Sequence, residues 1–222
     1  MNLSPIIISV KTAILSTLIS LIIALYIANK VKHLNILRSI FDVVFTLPMV
    51  LPPTVVGFFL LVVMGVNGPL ASLYEKFNFQ IIFSYKAMVI AAVIVSFPLM
   101  YKSVLSSFLQ IDENIVYAAR TLGLSDREIF FKIIIPLSKE GILSGIILTF
   151  TRALGEFGAT IMVSGNILGK TQSISTAIYS AVQSGNKGIA YKWSLIVVII
   201  SMACIVSLNF ITSKGKSYGT KS

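Results

Sequence analysis

Arg152 and Glu156 lie four residues apart inside an apolar stretch, so on a helix they share one face. A charge at membrane depth is costly and normally faces a bundle interior or a wet cavity. Two roles fit the pair. It is either an internal ion pair that locks its helix in place, or part of a solute path in which Arg152 meets an anion. Gly155, Gly158 and Ala159 beside it are small enough for close helix approach, which suits a pore-closing crossing and ordinary packing equally. Catalysis has no comparable support. The one histidine, His33, stands in a basic loop without a carboxylate or cysteine near it in sequence, and Cys204 is a lone cysteine in an apolar run. Gly165-Asn-Ile-Leu-Gly169-Lys170-Thr171 has three residues between its glycines where a phosphate-binding loop needs four, and no strand precedes it. The sequence therefore assigns no catalytic, cofactor-binding or metal-ligating residue. If ATP drives this protein, another subunit binds it.

Pro52 and Pro53, with Pro48 just before them, interrupt a second apolar stretch. Prolines free backbone carbonyls, which is tolerated at membrane depth only where protein or water covers them. Broken helices of this kind often line transport paths, and a simple kink fits as well.

The elements that carry these residues are membrane spans. The chain has 222 residues, of which 56% are hydrophobic and 12% charged, and its mean hydropathy is +0.92. That excludes a soluble globular domain. Five runs are long enough to cross a bilayer: 12–28, 40–64, 87–108, 142–163 and 194–211. Lys11 is a thin basic region and no small-x-small site precedes Lys30-Val31-Lys32, so the first run reads as a span and not a cleaved signal. Eleven lysines and arginines fall on the side of the first loop, the 109–137 segment and the tail (Lys214, Lys216, Lys221), against six on the other side. The bias predicts an N-terminus outside and a C-terminus inside. It also accounts for the net charge of +10, since the basic residues sit at span ends and form no aromatic-interleaved patch for nucleic acid. An outer loop is expected near Gly65–Tyr85. In a second one, near Gly165–Lys192, Ile174, Ile178 and Val182 form an amphipathic stripe, for packing on the bundle or for an extracellular partner.

The longest polar segment is an elbow. Between Lys102 and Glu140 there are ten charged residues, five of each sign. Asp112 can cap a short helix that Gly123 ends. Ser125-Asp-Arg-Glu128 has the form of a capping box that starts a second helix, and Pro136 redirects the chain before the next span. Tyr117, Leu122, Leu124, Phe130 and Phe131 give the elbow more apolar surface than a solvated loop needs. It is either a docking knob or a linker folded back on its own spans.

Ala118-Ala119, Gly123 four residues later, and Ile135-Pro136 twelve beyond that resemble the "EAA" loop of ABC importer permeases, with Tyr117 where that loop usually has glutamate. Leu47-Pro-Met-Val-Leu-Pro-Pro-Thr-Val-Val-Gly57, Thr151-Arg-Ala-Leu-Gly-Glu-Phe-Gly-Ala-Thr-Ile-Met-Val-Ser-Gly-Asn166 and Gly169-Lys-Thr-Gln172 resemble the permease subunit of molybdate ABC importers. Sulfate permeases share part of this pattern.

The resemblance implies an all-α polytopic membrane protein with the type I ABC importer fold, one permease domain over 1–222. It implies that 109–137 is the coupling loop, with Ala118, Ala119, Gly123, Leu124, Ile135 and Pro136 engaging an ATPase subunit. It further implies a homodimer in the cell membrane, two ABC ATPase subunits that use ATP and Mg, and an outer oxyanion-binding protein. The expected function is import of molybdate, or tungstate, by alternating access. The alternatives are a sulfate or thiosulfate permease of the same architecture, and a secondary transporter or channel that works without an ATPase.

Overall fold

The computed structural model describes residues 3–34, 36–71 and 81–216, and all regular structure among them is helical. Part of the expected loop at 65–85, and Lys221 of the tail, lie outside the described residues.

Helix α1 (Ser4–Val31) begins with Pro5 in its first turn, where the missing N–H has no partner to lose. Its buried face is a row of small residues: Ser9, Ala13, Ser16, Ser20, Ala24 and Ala28. Four-residue spacing puts them on one stripe, and their size lets the next helix come close. After α2 (Ile36–Val50) and α3 (Pro53–Met64), α4 (Tyr85–Leu109) fills that stripe and forms the centre of the bundle. Met100, Tyr101 and Val104 of α4 are fully buried. The Ser96 hydroxyl, equally buried, donates to the carbonyl of Ala92 at 2.6 Å and so satisfies itself within its own helix.

The elbow follows as α5 (Glu113–Thr121), α6 (Asp126–Ile129), a π-helical turn (Phe130–Ile134) and α7 (Ile135–Leu137). Then α8 (Lys139–Leu154) returns beside α1 and α4. Gly141 and Gly145 make that return possible: a Cβ at Gly141 would lie 2.5 Å from the Cβ of Ser107. Helix α9 (Gly158–Ser164) packs on α3 and α4, while α10 (Ile174–Gln183) packs on α11 (Lys187–Lys216). The buried face of α10 is Ile174, Ala177 and Ala181; Ile178 packs partly, and Val182 points away at 60% exposure. The predicted stripe thus holds at Ile174 and in part at Ile178 and fails at Val182, where Ala181 does the packing.

Among the described residues three helices are long and apolar enough to cross a membrane, or five if each of two bent pairs counts as one span. The 40–64 stretch is α2 and α3 meeting at 109°, a full break between two helices and not a simple kink. The 142–163 stretch is likewise two helices, because Gly155, Glu156 and Phe157 interrupt it. The 12–28 and 194–211 stretches lie inside the longer α1 and α11.

Candidate functional site

The two interruptions face each other. Pro53 has no N–H to give a preceding turn, and its ring restricts the residue before it to extended backbone. Pro52 accordingly sits at φ −54°, ψ 134°, and α3 restarts on Pro53. On the other strand of the crossing α9 restarts on Gly158, where an added Cβ would lie 2.9 Å from the Cβ of Pro53. One turn along, a Cβ at Gly57 would lie 2.9 Å from the Cα of Ala159.

Glu156 holds the second break. Its Oε1 accepts from the N–H of Ala159 at 2.8 Å, which satisfies an orphan donor of the α9 start. Its Oε2 accepts from Nη1 of Arg152 at 2.6 Å. The Glu156 side chain is 2% exposed and that of Arg152 34%. The carboxylate is therefore a structural anchor between α8 and α9. The guanidinium has five N–H donors in all, and its side chain stays one-third exposed. The predicted pair Arg152 and Glu156 and the predicted Pro52 and Pro53 thus belong to one crossing.

The elbow is built by its caps. Asp112 accepts from the N–H of Asn114 at 2.9 Å. Gly123 takes φ +83°, and the chain closes there with Gly123 N–H to Arg120 and Leu124 N–H to Ala119, a Schellman motif. Ser125 and Glu128 form the reciprocal capping box. Arg120 bonds Asp126 across the turn at 3.2 Å. The ammonium of Lys132, 2.9 Å away, together with the Ser125 N–H and hydroxyl, lowers the Glu128 carboxyl to about 2. The structure divides the alanine pair. Ala119 is 5% exposed and packs into the chain's own core with Ile129 and Ile134, whereas Ala118 faces outward. Leu124 and Ile135 pack partly against that core, Pro136 is exposed, and Leu122 stands 80% exposed at the tip. Pro136 does not end the helix. The π turn before it absorbs the missing donor, with the Ile135 N–H reaching Phe130, and the 71° change of direction comes at Ser138.

Two features escaped the sequence reading. Asp42, inside the second predicted span, accepts from the buried Tyr101 hydroxyl at 2.6 Å and lies 3.7 Å from Lys102. A lone carboxylate at that depth was the available signal. Next, the fold brings Glu113 and Asp126 to the cavity of about 410 Å³ that His33 lines with Lys30, Lys32 and Arg120. Burial, then the charges of Lys32 and Arg120, hold the His33 imidazole below its ordinary value.

The Gly165–Thr171 loop is closed on itself. The N–H groups of Lys170, Thr171 and Gln172 all reach the carbonyl of Ile167. The buried Thr171 hydroxyl donates to Ser164 and accepts from Ile167. The amides of Ile167, Lys170 and Thr171 are thus spent within the loop. Among the described residues, no three His, Cys, Asp or Glu side chains come together to hold a metal ion.

Known proteins share this arrangement. The family described as "Binding-protein-dependent transport system inner membrane component" matches residues 16–213. The chain is 38% identical to the molybdenum transport system permease protein ModB of Haemophilus influenzae, covering 96% of this chain and 95% of that one. It is 34% identical to the sulfate transport system permease protein CysW of Synechococcus elongatus, over 86% of this chain and 66% of that one. A bacterial ABC transporter involved in the import of alginate shares the fold at TM-score 0.72 and 13% identity, over 98% of this chain and 80% of that one. With a family match across most of its length and two broken helices crossing above a capped elbow, the chain belongs to the inner membrane components of binding-protein-dependent transport systems.

Proposed function

We propose that this chain is the permease subunit of an ATP-driven importer of molybdate, with tungstate as a second cargo. The observation that carries the cargo is the 38% identity to a molybdenum transport permease along nearly the whole of both chains. Two copies form the membrane unit, with the N-terminus outside, an oxyanion-binding protein on the outer face and two ATPase subunits below. ATP and Mg are used by those subunits.

The elbow is the contact with the ATPase. Ala118, Leu122 and Tyr117 are uncovered on it, while Ala119, Ile129 and Ile134 root it in the bundle core. A push on the exposed face therefore reaches α4 and α8 through packed side chains. Because α8 meets the elbow at the Ser138 bend and leads to the Arg152–Glu156 anchor, a tilt of α8 carries the crossing with it. This supports alternating access by rigid movement about the broken helices. The sulfate permease is the second reading, favoured by the 34% identity to a sulfate transport permease.

The test is ATPase activity and uptake by the complex reconstituted with its ATPase and binding protein. Stimulation by molybdate and tungstate, and not by sulfate, is the expected result. Stimulation by sulfate alone selects the second reading, and uptake without any ATPase overturns both.

A further inference from the structure

Between the elbow-side ends of α4 and α8 lies an open cavity of about 660 Å³. Ser103, Ser106, Ser107 and Gln110 from α4, Ser138 from the bend and Ser144 from α8 bring polar groups to a lining that also holds Ile111 and Leu137. The Ser138 hydroxyl is buried, with the residue 2% exposed, and has no hydrogen-bond partner. Ser107 donates to backbone carbonyls of its own helix. Ser106 accepts from Gln110 at 3.4 Å, which leaves its own proton to give. Asp112 from the α5 cap and Glu140 from α8 also line it, and Ile115 of the elbow joins them.

Such a surface does not belong against hydrocarbon, where carboxylates and amides are expensive. It also continues toward the crossing. Gly141, Ser144, Leu148 and Arg152 follow one another at helical spacing on a face of α8 that the rest of the chain leaves at least partly uncovered. Ser144 and Arg152 are separated by eight residues, or about 12 Å of helix.

The donors in the cavity are neutral. Hydroxyls give an oxyanion hydrogen bonds but no ion pair, and charge-assisted bonds of that kind are weaker than a guanidinium clamp. Two carboxylates in the lining disfavour long residence of an anion. The chemistry suits release and not capture.

We propose that this serine-lined cavity is the release site of the transport path, where a tetrahedral oxyanion accepts hydrogen bonds from Ser106 and Ser144 before it leaves past Asp112 and Glu140. The proposal rests on the reading of the chain as an oxyanion importer subunit. It also places release where the elbow can control it: Asp112 caps α5, and Ser138 is the bend itself, so movement of the elbow reshapes the cavity.

The experiment uses the complete transporter in proteoliposomes, on a Cys204→Ser background. Wild-type complex should take up molybdate. If it takes up neither molybdate, tungstate nor sulfate, the importer reading falls and the proposal falls with it. If it transports, the double variant Ser106→Ala with Ser144→Ala should lose uptake several-fold while ATPase association is unchanged; full uptake overturns the release site and leaves the importer reading intact. Ser144→Cys gives an independent readout should the double variant fail to accumulate. It should react with a negatively charged, impermeant thiol reagent applied from the elbow side, and molybdate should slow the reaction. A thiol that stays unreactive, or one whose rate ignores molybdate, overturns the proposal.

Discussion

Gly158 and Pro53 come together so closely that the smallest side chain at Gly158 would press on the proline ring, its Cβ 2.9 Å from that of Pro53 and 3.2 Å from the N of Thr54. Gly57 is equally confined by Ala159 and Met162, whereas a Cβ at Gly155 would meet only the carbonyl of Thr151 at 3.7 Å. Overpacking of such contacts costs about 1–3 kcal/mol. Gly57→Ala and Gly158→Ala should therefore lower the melting temperature of the purified subunit, and Gly155→Ala should not. Equal melting of all three would mean that the crossing is looser than its geometry.

The Arg152–Glu156 contact predicts a non-additive pair. Glu156→Gln keeps an acceptor for the Ala159 N–H and removes only the charge, leaving the guanidinium without its counterion. The loss should fall below the roughly 3–5 kcal/mol of a fully buried pair, because Arg152 is one-third exposed. The double change to Gln at both positions should be more stable than Glu156→Gln alone. Membrane accumulation and thermal melting of Arg152→Gln, Glu156→Gln and the double variant measure this. A double variant that is worse by the sum of the singles would remove the ion pair from the explanation.

At the elbow, Gly123 has φ +83°, and a Cβ added there would meet open space. Strain, not collision, is thus what a side chain would suffer. A β-branched residue there costs about 1–3 kcal/mol of backbone energy, confined to the turn. Gly123→Val should leave insertion intact while ATPase association and uptake drop together. Gly123→Asn should restore much of both, since asparagine tolerates the left-handed region. Co-purification of the ATPase with each variant decides the matter, and unchanged association in Gly123→Val would reduce the elbow to a passive linker.

These three sites differ in how far the sequence revealed them. The elbow is local: Asp112, Gly123 and the Ser125–Glu128 box act on backbone groups a few residues away, so their types and spacing were enough. The breaks were half legible. Pro52-Pro53 cannot continue a helix, but the break at Gly155–Phe157 has no proline and depends on a carboxylate turned back to Ala159, which composition hides. That the two breaks meet is a tertiary fact about residues far apart in the chain, and no periodicity carries it. Ala119 illustrates the same limit, because only packing distinguishes it from Ala118.

Asp42 gives the last prediction, and it concerns what holds the bent α2–α3 pair to the bundle. Much of α2 is uncovered, with Val43 64% and Val50 81% exposed. Its grip on α4 comes from the Phe45 ring against Phe97 and Tyr101, and from the Tyr101 hydroxyl donating to Asp42. Removing the acceptor strands the hydroxyl of a residue with no solvent exposure, at about 1–3 kcal/mol. Asp42→Ala should accordingly destabilise the subunit more than Asp42→Asn, which still offers an oxygen. Adding Tyr101→Phe to Asp42→Ala should recover part of the loss, because the stranded donor is then gone. Melting temperatures in detergent, with α2 cleavage by an added protease as a second readout, separate these cases. If Ala and Asn at position 42 behave alike, the hydrogen bond contributes nothing, and the aromatic contacts with the Lys102–Asp42 ion pair seat α2.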